Sequence, residues 1–336
     1  MEVGLLFTFR NPPPWQRSFA DLYRTTLEEI VLAESLGIDA VWLAEHHFTD
    51  DGWSPAVMPL AAAVAVRTTS VRIGTFVLLL PQHHPVRVAE DVAVVDILSG
   101  GRLTLGVGLG YRAEEYTAVG LSPATRGSRM DEALAVLVGC LERDQFSFEG
   151  RWYQATDVSL SPRPVQRPRP PIITAGTGER ALERASRFCD GLAVHPPTDV
   201  YERHVQLLRQ HGRDPSAQRY YAMVLGFVAD TNDRAWDLVG PHAAWEHDHY
   251  TRWLAEAGQP PAFMSTPRDD FIIGDASLWT RRVEAMLSQY PDVPCHHLVV
   301  ELVMAGMGPA QRRDAIERFA ADVLPGLRQL RSTASS

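Results

Sequence analysis

Glu45-His46-His47-Phe48 is the densest group of reactive side chains in this 336-residue chain. A carboxylate beside two imidazoles can hold and move protons near neutral pH. The four follow Val41-Trp42-Leu43-Ala44, an apolar run that reads as a strand buried on both faces. Ligands of parallel α/β proteins bind beyond the carboxyl ends of the strands, so this run also predicts where the chemistry sits. Neighbouring strand residues point to opposite faces, and regular β geometry cannot aim both imidazoles at one ligand. A structural role for either histidine stays open, while at least one is read as catalytic or cofactor-facing. A metal would need a third ligand, usually a further histidine at helical or loop spacing. None is obvious, and no metal site is assigned.

Two glycine-rich segments point to a bound flat ligand with a phosphate. In Gly106-Val107-Gly108-Leu109-Gly110-Tyr111 the spacing is GxGxG on a strand, not GxGxxG, and no Gly-Lys-Ser/Thr follows. It is therefore neither a dinucleotide fingerprint nor a P-loop. It can be a glycine-thinned strand end, or a place where backbone approaches a ligand closely. In Thr174-Ala175-Gly176-Thr177-Gly178-Glu179-Arg180 a strand ends, a tight turn follows and a helix begins. Free N–H groups at the helix start, a hydroxyl and a guanidinium suit a phosphate. The alternative is an ordinary turn with Thr177 as the helix cap. His83 and His84 lie beyond a third strand, before Pro85, and are read as surface or capping groups. Glu301 interrupts the apolar Leu298–Met304 run, where a carboxylate is costly unless paired. It is either an inward-facing site residue or the partner of an arginine at the barrel mouth.

These segments need elements to hold them. Strand patterns over residues 3–9, 39–44, 71–80, 102–109, 172–175, 191–194, 220–229 and 297–304 alternate with helical ones. The helices are expected over 19–36, 55–67, 86–98, 113–119 and 129–141, then 179–187, 200–211, 233–256, 277–288 and 310–330. Strand-then-helix repeated to the end predicts an α/β protein, a (β/α)8 TIM barrel, with an open doubly wound sheet as the alternative. Two stretches break the rhythm, giving insertions after strand 4 and after strand 7. Residues 146–164 read as a hairpin leading into a Pro-rich extended path, and residues 258–270 are polar and Pro-containing, a candidate lid. No linker composition divides the chain, so residues 1–336 are expected to form one domain.

Composition narrows the partners. The formal net charge is −9 and the basic residues form no stripe, which disfavours nucleic acid and anionic membranes. Cys140, Cys189 and Cys295 lack metal spacing and suit a reduced core. No apolar run reaches the ~20 residues of a membrane span and no signal peptide is visible, so a soluble cytoplasmic protein is expected.

In order and spacing, these motifs resemble the luciferase-like monooxygenases, the bacterial luciferase family. The matching pieces are Trp42 to Phe48, Gly74 to Pro81, His84-Pro85-Val86-Arg87, Leu98 to Arg102, Gly106 to Tyr111, Phe148 to Tyr153 and Thr174 to Gly178. The resemblance implies a (β/α)8 barrel using reduced FMN, or in a sister branch the deazaflavin F420. It places the flavin across the C-terminal mouth, over a non-proline cis peptide that here would be Phe76-Val77. The phosphate would rest on Ala175, Gly176, Thr177 and Gly178 with Arg180 near. Gly108, Leu109, Gly110 and Tyr111 would meet the ribityl chain or phosphate; in luciferase an arginine stands in place of Leu109. His47 matches the family's active-site imidazole and His46 is its neighbour at the flavin edge.

The implied reaction is oxygenation of a small organic substrate by O2 through a C4a-hydroperoxyflavin, with reduced FMN supplied by a separate reductase. The other branch would make the chain an F420-dependent dehydrogenase or reductase, and a non-catalytic flavin-binding barrel is a third reading. Relatives also imply a homodimer through helices 55–67 and 86–98.

Overall fold

The computed structural model describes residues 1–258 and 266–330. In chain order the strands are β1 (Glu2–Phe7), β2 (Ala40–Leu43), β3 (Arg72–Thr75), β4 (Leu103–Val107), β5 (Phe146–Glu149), β6 (Gln154–Val158), β7 (Ile172–Thr174), β8 (Gly191–Leu192), β9 (Arg219–Val228), β10 (Ile272–Gly274) and β11 (His297–Glu301). The helices are α1 (Phe19–Ser35), α2 (Val57–Arg67), α3 (Pro85–Ser99), α4 (Ala113–Ala118), α5 (Arg126–Glu142), α6 (Glu179–Phe188), α7 (Thr198–Gln210), α8 (Asn232–Glu256), α9 (Pro267–Asp270), α10 (Ala276–Ser288), α11 (Pro309–Arg318) and α12 (Leu324–Gln329).

Strands β1-β2-β3-β4-β7-β8-β9-β11 run parallel and close on themselves, β8 pairing with β9 and β11 with β1. This is the eight-stranded barrel that the alternating pattern predicts. The strands are apolar on both faces because one face packs on the helices and the other fills the lumen. The hairpin is present as β5-β6, paired antiparallel after α5. Strand β10 is absent from the sequence reading. It adds to the last three residues of β9, whose middle, Tyr221 to Leu225, pairs with β11. Three apolar residues after an unpatterned segment are too short a signal for a strand.

The 71–80 strand is shorter than expected. It stops at Thr75, and the chain then passes through the cis Phe76-Val77 peptide to a tight turn at Leu80–Gln82. The expected last helix is α11 and α12, joined by a π-turn at Phe319–Val323. Residues 259–265, the body of the candidate lid, lie outside the described residues. Among the described residues, no helix is long and apolar enough to cross a membrane.

Trp42 plugs the lumen, and glycine makes room for it. A Cβ on Gly74 would lie 2.2 Å from its ring, and one on Gly4 2.5 Å from its Nε1. The indole N–H donates to His297 Nε2 at 3.0 Å, which satisfies its one polar atom. Above this plug the barrel opens toward the C-terminal ends of the strands.

Candidate active site at the barrel mouth

A cavity of about 380 Å³ occupies the C-terminal mouth, within the usual range for a small-molecule or cofactor site. The strand ends bring most of the predicted residues to it. Phe76, Val77, Gly108, Leu109, Gly110, Tyr111, Ala175 and Gly176 line it together with His46 and Glu45. Thr177, Gly178 and Arg180 continue the β7–α6 turn and are exposed. The cap of α6 is Gly178, not Thr177, and no side chain bonds the first N–H groups of that helix. Its positive end therefore remains open to an anion beside Gly176.

The two histidines take different places. His46 lines the cavity, with Nδ1 2.8 Å from Glu115 Oε1. Its ring packs edge-on against Trp53 and Tyr111. A carboxylate at Nδ1 favours the tautomer with the proton there, leaving Nε2 as the free nitrogen. Among the described residues, Nε2 has no hydrogen-bond partner. Glu115 also accepts from the His47 backbone N–H at 3.1 Å and lies 3.3 Å from Arg112 Nη1. Burial alone would raise its pKa; His46, the His47 amide and Arg112 outweigh that and lower it.

His47 turns away from the cavity. Its Nε2 is 3.0 Å from Glu45 Oε1, and His83 Nε2 approaches the same oxygen at 2.8 Å. The other Glu45 oxygen accepts from the Leu79 backbone N–H at 2.5 Å. Burial would raise the Glu45 carboxyl, but these three donors hold it down at about 2. His83 is thus not a surface or capping group. Only the β3–α3 connection brings it to Glu45, a contact 38 residues apart in sequence.

Helix α8 roofs the far side of the mouth. Arg10 bonds Asp51 at 2.5 Å and also Glu246, and its guanidinium lies 4.2 Å from the Trp53 ring centre and 4.6 Å from that of Trp245. Glu301 sits beside this cluster. It shares the inward face of β11 with His297 and Val299, and Leu6 and Met223 of the flanking strands line the cavity. The alternative left open in sequence resolves toward an inward-facing acid. Arg10 pairs with Asp51 and Glu246 rather than Glu301, and among the described residues neither Glu301 oxygen has a hydrogen-bond partner. Burial pushes its pKa well above the ordinary carboxyl value, Glu246 adds to the effect, and Arg10 opposes it.

Among the described residues two more buried polar groups lack partners: the Tyr111 hydroxyl, which lines the cavity, and the Gln82 side-chain amide beside Gly110. Buried polar atoms are nearly always satisfied. A planar ligand with polar ring edges would satisfy these two. The glycine-lined strand ends and the uncapped α6 terminus would accept its backbone-hugging, anionic tail. The residues present therefore fit a phosphate-tailed flavin or deazaflavin.

Sequence reasoning missed Glu115, Gln82, Trp53, Tyr250 and Trp253. One signal existed for Glu115: an acid in the first helical turn after the end of strand 4. The α8 aromatics carried none, because a helix face declares its neighbours only in the fold.

Comparison with known proteins agrees with this geometry. The sequence model described as "Luciferase-like monooxygenase" matches residues 1–286. The oxygenase component of a flavin-dependent trigonelline monooxygenase from Acinetobacter baylyi is 30% identical over 331 residues, 92% of this chain and 91% of that one. An F420-dependent glucose-6-phosphate dehydrogenase from Amycolatopsis mediterranei is 33% identical over 333 residues, 91% and 95% of the two chains. Another curated relative is matched over about half its length, 51%. The crystal structure of monooxygenase RslO1 from Streptomyces bottropensis superimposes with a TM-score of 0.82 at 22% identity, covering 97% of this chain and 100% of that one; that likeness is one of fold. With its barrel, its mouth cavity and a match over most of its length, the chain belongs to the luciferase-like monooxygenase family.

Proposed function

We propose that this protein is a flavin-dependent monooxygenase that uses reduced FMN and O2 to oxygenate a small, mostly apolar organic substrate. The observation that carries the reading is the cavity wall itself. His46, locked at Nδ1 by Glu115, stands across an apolar cavity from Phe76-Val77 and the glycine-lined strand ends. FMN, when bound, supplies the oxygen-activating chemistry. The turn from Ala175 to Gly178 and the start of α6 would hold its phosphate, with Arg180 as the cation. The unpartnered Tyr111 hydroxyl at the cavity wall would meet a polar ring edge. The apolar walls keep water from the reacting centre. His46 Nε2 accepts or returns a proton at the cavity; His47 reaches the same region only through Glu45.

The partners follow from the same reading. A separate flavin reductase supplies reduced FMN. The protein works as a homodimer in the cytoplasm, and exposed Val66 of α2 with Val94, Ile97 and Leu98 of α3 supports that interface. A second reading, an F420-dependent dehydrogenase or reductase, is supported by the full-length similarity to the Amycolatopsis enzyme.

Anaerobic titration of the purified protein with FMN, reduced FMN and F420 tests the choice, followed by oxygen uptake with reduced FMN. Binding of reduced FMN and substrate-dependent oxygen consumption are expected. Tight binding of F420 with hydride transfer in the absence of oxygen would favour the second reading and overturn the first.

A further inference from the structure

Neither the cavity nor its His46–Glu115 dyad uses the cluster on the other side of Glu45. His47 Nε2 and His83 Nε2 converge on one Glu45 oxygen at 3.0 and 2.8 Å, and the three ligand-capable atoms lie within 4.8 Å of one another. The sequence alone offers an adjacent pair of histidines and no third ligand. The fold delivers the third from the turn before α3.

The cluster has the features of a three-ligand metal site. The carboxylate is held in place, since Glu45 is buried and the Leu79 N–H ties its second oxygen at 2.5 Å. The imidazole side chains are 17% and 33% exposed, so the remaining coordination positions face water. Two imidazoles and one carboxylate suit borderline first-row ions such as zinc, cobalt or nickel; calcium and magnesium prefer all-oxygen shells. Metal–ligand bonds of about 2.0–2.2 Å in a tetrahedral site set ligand atoms roughly 3.3 Å apart. The two Glu45–imidazole distances need to lengthen by only a few tenths of an ångström, and small rotations of the two partly exposed imidazoles, whose ligand atoms lie within 4.8 Å of each other, bring the third distance to the same spacing.

We propose that Glu45, His47 and His83 form a binding site for a divalent transition-metal ion of the zinc class, with water completing its coordination. The site lies beside the cofactor cavity, with which it shares Glu45, and an ion there would hold the His47 ring away from that cavity. The inference goes beyond the oxygenase reading and does not depend on which cofactor the mouth binds.

Cobalt(II) titration of the untagged, cofactor-free full chain tests it by visible d–d absorption. Saturation at one equivalent per chain, displacement by zinc and two paramagnetically shifted imidazole N–H signals in the wild-type protein are expected. His83→Ala is expected to weaken cobalt binding by more than the ~100-fold typical of losing an outer-shell partner, with thermal unfolding of the metal-free variant checking its fold. Absence of cobalt bands, fewer than two shifted imidazole signals, or bands unchanged in a folded His83→Ala protein would overturn the proposal. The flavin titration reads a different site, so failure of either proposal leaves the other measurable.

Discussion

Arg102 and Arg10 stand at opposite ends of one barrel, and their surroundings differ in kind. At the N-terminal end, Arg102 spends all its donors on the fold. It bonds the carbonyls of Ala65, Thr68, Val71 and Ser99 and the Thr68 hydroxyl, at 2.7 to 3.0 Å. It ties the α2–β3 and α3–β4 connections together. At the C-terminal end, Arg10 bonds two acids and lies against indole rings, with Nη2 unpartnered among the described residues. Glu301 and Tyr111 at the same mouth are also unsatisfied among the described residues. The Arg102 donors at the floor are consumed by the structure, whereas several polar groups at the mouth are left unsatisfied at a cost in stability. Such departures from full satisfaction mark functional sites.

Substitutions at the two ends should therefore fail in different assays. The largest effect is expected at the dyad: His46→Ala should slow oxygenation by roughly 10²–10⁴-fold, the range for loss of a positioned acid/base, with little change in urea stability. An unchanged turnover in a reduced-FMN assay would remove His46 from the mechanism. Next comes the floor. Arg102→Met leaves several buried carbonyls without a donor and should cost about 3 kcal/mol in urea unfolding. Cofactor affinity of the folded fraction should be unaffected; a selective loss of cofactor binding would erase the contrast between the ends.

Glu301 inverts the usual expectation for a buried charged residue. Glu301→Leu removes an unpaired carboxyl and should be neutral or stabilising by about 1–3 kcal/mol. The pH dependence carries a sign. The folded-state pKa is raised, so the unfolded chain ionises first, near 4.5. The Glu301 contribution to stability then falls as pH climbs from there toward the folded value. Glu301→Gln should lack that contribution, so the difference between the two proteins reads Glu301 alone; Glu246 is shifted in the same direction in both, and His204, His249 and His296, lowered to about 4 by burial, act in the opposite direction in both. Urea unfolding of both proteins between pH 4.5 and neutrality reads this directly; parallel curves would show that Glu301 is ionised in the fold. The smallest effect is expected at the turn before α6, where Arg180→Ala should weaken FMN binding roughly tenfold, with riboflavin, which lacks the phosphate, unaffected. Equal losses for both ligands would move the phosphate elsewhere.

Much of the mouth was legible in the chain itself. Strand ends announce themselves when an apolar run stops at charge, as at Glu45, or thins to glycine, as at Gly108 and Gly176. That signal is local, since it follows from the two-residue alternation of a strand and the conformational freedom of glycine. The eight-fold alternation was legible for the same reason, and the cis Phe76-Val77 peptide followed from the family resemblance. The short β10 pairing was not, because three apolar residues carry no period.

Which histidine faces the cavity, which acid orients it and what His83 touches were settled by packing. Adjacent residues such as His46 and His47 must diverge, but their directions depend on how β2 twists into the barrel and on what α4 and the β3–α3 turn present to them. Contacts such as His46 with Glu115, 69 residues apart, and Arg10 with Glu246, 236 apart, exist only once the ring of strands closes. The chain alone determined a parallel barrel with reactive strand ends, because backbone periodicity is written residue by residue. Tertiary structure decided the pairings among those ends, because a hydrogen bond needs distances that no local pattern specifies.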